Sequence, residues 1–134
     1  MTPKEYSELA LRTANDLGGR LDNIMHAAMG IAGEAGEVID LVKKTYAYEK
    51  PLDDKKLIEE VSDILWYINL LLAVVDRTWE EVFDLNIAKL EARYPDLRFN
   101  ADHAINRDVD AEQRAMLARA LDDQDSTLSA GALR

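Results

Sequence analysis

Apolar residues recur three and four positions apart along most of the chain and seldom alternate, so helices rather than strands are expected. The pattern predicts five. The first runs from Pro3, a good first-turn residue, to Leu17, where the Gly18-Gly19 pair ends it. The second runs from Asp22 to Tyr46, and the third from a cap at Asp53 or Asp54, just after Pro51, to Asp76. The third carries the core stripe Leu57, Val61, Ile64, Leu65, Ile68 and Leu72. The fourth opens with the capping-box spacing Thr78-x-x-Glu81 and stops at Tyr94, because Pro95 restricts the residue before it. Asp110 to Leu121 forms a weaker fifth helix after a loop from Asp96 to Val109, and the polar tail from Asp122 has no core of its own. The expected organisation is a helical domain over residues 1–109, then a C-terminal helix and tail over 110–134 packed on a neighbouring subunit. Helix three also asks for a second copy. It is apolar around most of its circumference from Ile64 to Val75 and needs cover on every side, which predicts a homo-dimer or homo-tetramer.

Composition narrows the function. At 134 residues the chain fits one domain, and without cysteine it can build neither a disulfide framework nor a thiolate metal site. The N-terminus lacks the apolar run of a signal peptide, and the stretch Ile64 to Val75 is too short to span a bilayer, so a cytoplasmic protein with no membrane partner is expected. A net charge of −10 argues against long nucleic acid, whose recognition draws on clustered Lys and Arg. A small anionic ligand stays compatible if a metal ion mediates, since a bound cation inverts the local electrostatics.

The acidic residues are placed for that role. Glu34 and Glu37 in helix two, and Glu60 and Asp63 in helix three, are each three apart, so each pair lies side by side on its helix. The pairs sit almost symmetrically about the turn near Tyr48 and Glu49, and an antiparallel hairpin brings all four carboxylates together. They would repel in a partly buried seam, and Asp63, within the apolar segment Val61 to Leu72, would be costly unpaired. A divalent cation resolves the conflict; all-oxygen ligation suits Mg²⁺ or Mn²⁺. An acidic face solvated and paired with Lys43, Lys44, Lys55 and Lys56 is the plainer account of either pair alone. Gly30, Gly33 and Gly36 each cost helix two about 1 kcal/mol against alanine, offset by close helix packing or by a ligand against the backbone. On helix four, Asn86, Lys89 and Arg93 share a face, suited to phosphate oxygens or simply to the helix dipole. Tyr67, one turn beyond Asp63, reaches the same region or belongs to the core. Trp66 and Trp79 read as core or interface.

Glu34-x-x-Glu37, Glu60-x-x-Asp63 and Asn86-x-x-Lys89-x-x-x-Arg93-Tyr94-Pro95 together resemble the MazG-like branch of the all-α nucleoside triphosphate pyrophosphohydrolases, over roughly Leu21 to Arg107. The resemblance implies an all-α, four-helix core assembled as an oligomer, with Mg²⁺ on Glu34, Glu37, Glu60 and Asp63 and with Glu34 or Glu37 as general base. Lys89, Arg93, Asn86 and Arg107 would contact the substrate, as would Tyr67 and His26, the latter equally readable as a half-buried structural histidine. The implied reaction is attack of water on the α-phosphate of a nucleoside triphosphate, giving the monophosphate and pyrophosphate. Ala104-Ile105-Asn106-Arg107-Asp108 is similar to a stretch in short phage and bacterial MazG-like proteins, and the phage enzymes of this kind include the MazZ type that converts (d)GTP to (d)GMP, which implies (d)GTP as substrate and, for a phage protein, the host cytoplasm. Asn15 and Asn23 also offer groups to a base edge, though turn formation explains them more simply. Leu90 stands where many relatives carry Asn. The alternatives are a dUTP or dCTP pyrophosphatase, a phosphoribosyl-ATP pyrophosphohydrolase, and a non-enzymatic acidic interaction module.

Overall fold

A computed structural model describes the backbone of residues 1–131 and the side chains of residues 1–120. It is helical throughout, with no strand among the described residues: α1 Pro3–Ala10, a 3₁₀ turn Leu11–Thr13, α2 Arg20–Tyr48, α3 Asp54–Val74, α4 Trp79–Arg93, α5 Ala101–Ile105 and α6 Val109–Gly131. Three of these starts have a local side-chain cap. Thr2 and Glu5 form a reciprocal capping box ahead of Pro3. The Asp53 side chain accepts from the Lys56 amide and caps α3. Asp108 does the same for α6 through Ala111.

Three expectations change. The first helix stops at Ala10 and its 3₁₀ continuation at Thr13, rather than at Leu17, because Asp16 and Asn23 organise a polar turn: Asn23 accepts from the Leu17 amide and donates to Asp16, which also accepts from Gly18. These bonds hold the Asp16 carboxyl below its ordinary range. Gly18 sits at φ +88°, which disfavours a side chain there. Second, the loop after Tyr94 contains α5, capped by Asn100, whose side chain accepts from the Asp102 and His103 amides. Third, the stretch from Asp122 continues α6 to Gly131 instead of leaving the helix. The expected docking of that tail on a neighbouring subunit concerns side chains that lie outside the described residues.

The chain divides into two compact units, Met1–Trp79 and Glu80–Arg134. In the first, α2 and α3 pack along their lengths, joined by a short connection that α2 leaves through Glu49 in the left-handed conformation. Stepping four residues along α2 from Gly30 to Glu34 matches stepping back four along α3 from Tyr67 to Asp63, which is the antiparallel hairpin expected from the mirrored motifs. Its buried apolar residues are Ala27 and Leu41 of α2 and Leu70 and Leu72 of α3. Leu65 and Val61, read as core, are exposed. Asn69 is buried among them and accepts from the Trp79 indole at 2.9 Å. In the second unit α4 contributes the buried Ala88, and α6 the buried Glu112.

Candidate metal and substrate site

The hairpin register decides which carboxylates meet. Glu34 on α2 is half-buried, Glu60 on α3 is buried at 6% exposure, and Asp63 is exposed; one carboxylate oxygen from each lies within 4.8 Å of the other two. The burial is the reverse of that expected for Asp63: Glu60 occupies the costly position in the seam, and Asp63 faces solvent at its edge. Lys56, one turn before Glu60, places its ammonium 3.6 Å away and offsets only part of that cost. Glu37, one turn further along α2, is exposed and stands outside the three, although its charge still reaches Glu34.

Glu34 records the crowding. Withdrawal from water, then the charges of Asp63, Glu60 and Glu37, push its carboxyl above the usual range, and a hydrogen bond with Glu60 adds to the rise. Two carboxyl groups so joined must share either a proton or a cation. Tyr6 on α1 was not singled out by sequence: burial, then the charge of Asp63, hold its hydroxyl above its ordinary value. That proximity is a tertiary effect with no local signal.

The donor set fits a hard divalent cation. All three groups are oxygen donors, and Mg²⁺ bonds of about 2.0–2.1 Å place opposite ligands roughly 4.2 Å apart, so small side-chain rotations suffice.

Beyond the carboxylates, the Tyr67 ring lies against Gly30, where any Cβ would collide with it. The His26 ring meets Tyr67 edge-on at 5.7 Å, and its Nδ1 is buried without a hydrogen-bond partner among the described residues. Trp66 packs edge-on to Tyr67 at 4.9 Å and donates to the Thr13 hydroxyl at 2.9 Å, tying the 3₁₀ turn to α3. Gly33 and Gly36 differ from Gly30, since the space beside them is open. Helix packing therefore accounts for one of the three glycines. Asn23, a candidate base contact, is committed to the Asp16 turn.

Asn86, Lys89, Arg93 and Arg107 belong to the second unit. Asn86 is exposed and Lys89 half-buried. Arg93 donates through Nε and Nη2 to the two oxygens of Glu112, both at 2.8 Å, and Arg107 does the same at 3.1 and 2.7 Å. Glu112 lay unremarked in a polar helical stretch, and only the fold brings two arginines to it.

A family model described as the MazG nucleotide pyrophosphohydrolase domain matches residues 24–98. The chain is 30% identical over 79 residues to the "Gene 37 protein" of Mycobacterium phage L5, an alignment covering 54% of this chain and 68% of that protein. No solved structure matches it. The matched span contains Glu34, Glu37, Glu60, Asp63, Lys89 and Arg93 and extends over more than half of the sequence, so the chain belongs to the MazG nucleotide pyrophosphohydrolase family.

Proposed function

We propose that this enzyme cleaves a nucleoside triphosphate between its α- and β-phosphates, releasing the monophosphate and pyrophosphate, with (d)GTP as preferred substrate. The observation that carries the reading is the convergence of Glu34, Glu60 and Asp63 within 4.8 Å, an arrangement that asks for a cation. These three residues would hold Mg²⁺, or Mn²⁺ in its place, which when bound supplies charge neutralisation for the triphosphate. Glu37, exposed and one turn away, suits the role of proton acceptor from the attacking water, and Glu34 is the second candidate. Lys89, Arg93 and Arg107 bind phosphate oxygens, Lys as a point charge and Arg as a fork. Asn86, Tyr67 and His26 contact the rest of the nucleotide.

The enzyme acts as a homo-dimer or tetramer. Leu21, Met25, Met29, Ile39, Val42 and Tyr46 leave apolar surface exposed along α2, and Ile58, Val61 and Leu65 do so on α3. Apolar surface that extensive on a single hairpin supports an interface between copies. The resemblance to a phage protein supports a role on the nucleotide pool of an infected cell. Among the described residues no helix is long and apolar enough to cross a membrane.

Incubation with dGTP, dATP, dCTP, dUTP and phosphoribosyl-ATP plus Mg²⁺, with products resolved by anion exchange, tests the reading. Monophosphate and pyrophosphate from dGTP are expected. A pyrimidine preferred about tenfold, which amounts to roughly 1.4 kcal/mol of discrimination, overturns the purine assignment. Release of single phosphates overturns the bond assignment.

A further inference from the structure

Arg93 and Arg107 come from different elements, the end of α4 and the turn before α6, yet each turns the same edge of its guanidinium to one carboxylate. Glu112 is 2% exposed, and all four donor distances lie between 2.7 and 3.1 Å. The hydrogen bonds to Glu112 tighten the hold of Arg107 on its proton, and the nearby charge of Arg93 opposes them only in part. One carboxylate thus holds two like charges together, leaving the triad at a net charge of +1 in a protein of net charge −10. One arginine is enough to neutralise the carboxylate. The second adds repulsion and an uncompensated charge, and its side chain is 43% exposed against 18% for Arg93. Each guanidinium carries five N–H groups and gives two to Glu112, so the opposite edges keep donors in a fixed, forked array. The Arg93 guanidinium is further fixed 5.8 Å over the Tyr94 ring. An anion with several oxygens supplies the missing negative charge and matches the two forks.

We propose that Glu112 is a positioning residue that locks Arg93 and Arg107 side by side as a two-pronged site for a polyphosphate group. The proposal rests on the reading of these arginines as phosphate ligands. Preorganisation is the physical gain: the forks are ordered before the ligand arrives, so binding does not have to immobilise two long side chains. A single fork meets only one pair of phosphate oxygens, and the pairing gives Arg107 a second fork beside that of Arg93.

The test uses the full chain, inorganic tripolyphosphate binding by calorimetry, and kinetics on dGTP. Glu112→Gln keeps the size of the side chain and removes its charge. It is expected to raise KM and the tripolyphosphate dissociation constant roughly tenfold, with kcat changed less than about twofold, because lost charged hydrogen bonds loosen ligand binding rather than chemistry. With Arg93 and Arg107 both replaced by Ala, Glu112→Gln is expected to leave KM unchanged, since Glu112 acts only through them. Glu112→Asp keeps the charge but not the reach to both arginines, and serves if the Gln variant does not fold; the same rise in KM is expected. A lowered melting temperature with unchanged KM and tripolyphosphate affinity overturns the proposal, as does failure of both variants to fold. If instead Arg93→Ala and Arg107→Ala leave tripolyphosphate binding unaltered, the phosphate reading of the arginines falls first, and the positioning role with it.

Discussion

Three glycines spaced three apart in α2 face different surroundings, and alanine substitution turns that difference into opposite signs of stability change. Removing glycine from a helix interior gains about 1 kcal/mol at each position. At Gly30 the new methyl group meets the Tyr67 ring, which must shift, and its packing against His26 and Trp66 must shift with it. Overpacking of this kind costs about 1–3 kcal/mol, so Gly30→Ala is expected to be neutral at best and destabilising by up to about 2 kcal/mol. Gly33 and Gly36 have open space beside them, and their alanine variants should gain up to about 1 kcal/mol each, a rise of a few degrees in Tm. Thermal melts followed by circular dichroism measure all three. Tyr67→Ala removes the obstacle, and in that background Gly30→Ala should become stabilising by about 1 kcal/mol, a coupling that a double-mutant cycle isolates. A Gly30→Ala protein that melts above wild type, or the same loss at Gly33 as at Gly30, refutes this account. Activity adds a further reading: a stabilised Gly33→Ala enzyme with weakened turnover means that the ligand approaches the backbone there.

The carboxylate cluster predicts an unusual pH response. A folded-state pKa raised above the unfolded value, as at Glu34, contributes stability that is lost as pH rises through the folded value, so the metal-free protein should lose stability just above the ordinary carboxylate range. Mg²⁺ should abolish that loss; melts in EDTA and in Mg²⁺ across pH 4–7 that run parallel would count against the cluster as a cation site. Glu112 has the opposite sign, its carboxyl held far below the usual range by Arg93 and Arg107, so its contribution is full above the ordinary carboxylate range and is lost progressively as pH falls from that range into strong acid. Glu60→Gln and Asp63→Asn are expected to remove both turnover and the Mg²⁺-induced rise in Tm, whereas Glu37→Gln removes turnover and keeps that rise; loss of the rise in Glu37→Gln would make Glu37 a ligand. For assembly, Met29→Glu and Ile39→Lys on the exposed α2 stripe should lower the mass seen by light scattering, and a wild-type protein already monomeric at micromolar concentration refutes the interface.

Much of this was legible in one dimension because helices convert sequence spacing into spatial proximity. The period of the apolar residues specifies the helices, and motifs mirrored about the turn at Glu49 specify the hairpin that joins Glu34 to Glu60 and Asp63. Local capping groups set the starts at Pro3 and Asp54. What spacing alone leaves open is rotation about each helix axis and every contact between residues distant in the chain. Rotation decided that Glu60 is buried while Asp63 and Glu37 face solvent, and that Gly30, but not Gly33 or Gly36, lies under an aromatic ring. Tertiary contact decided the rest: Tyr6 near Asp63, Trp66 on Thr13, and Glu112 between two arginines. Nothing in the residues flanking Glu112 distinguishes it from a solvated surface acid. Its role exists only once the end of α4 and the start of α6 stand together, because a charge acquires a partner through distance in space rather than along the chain.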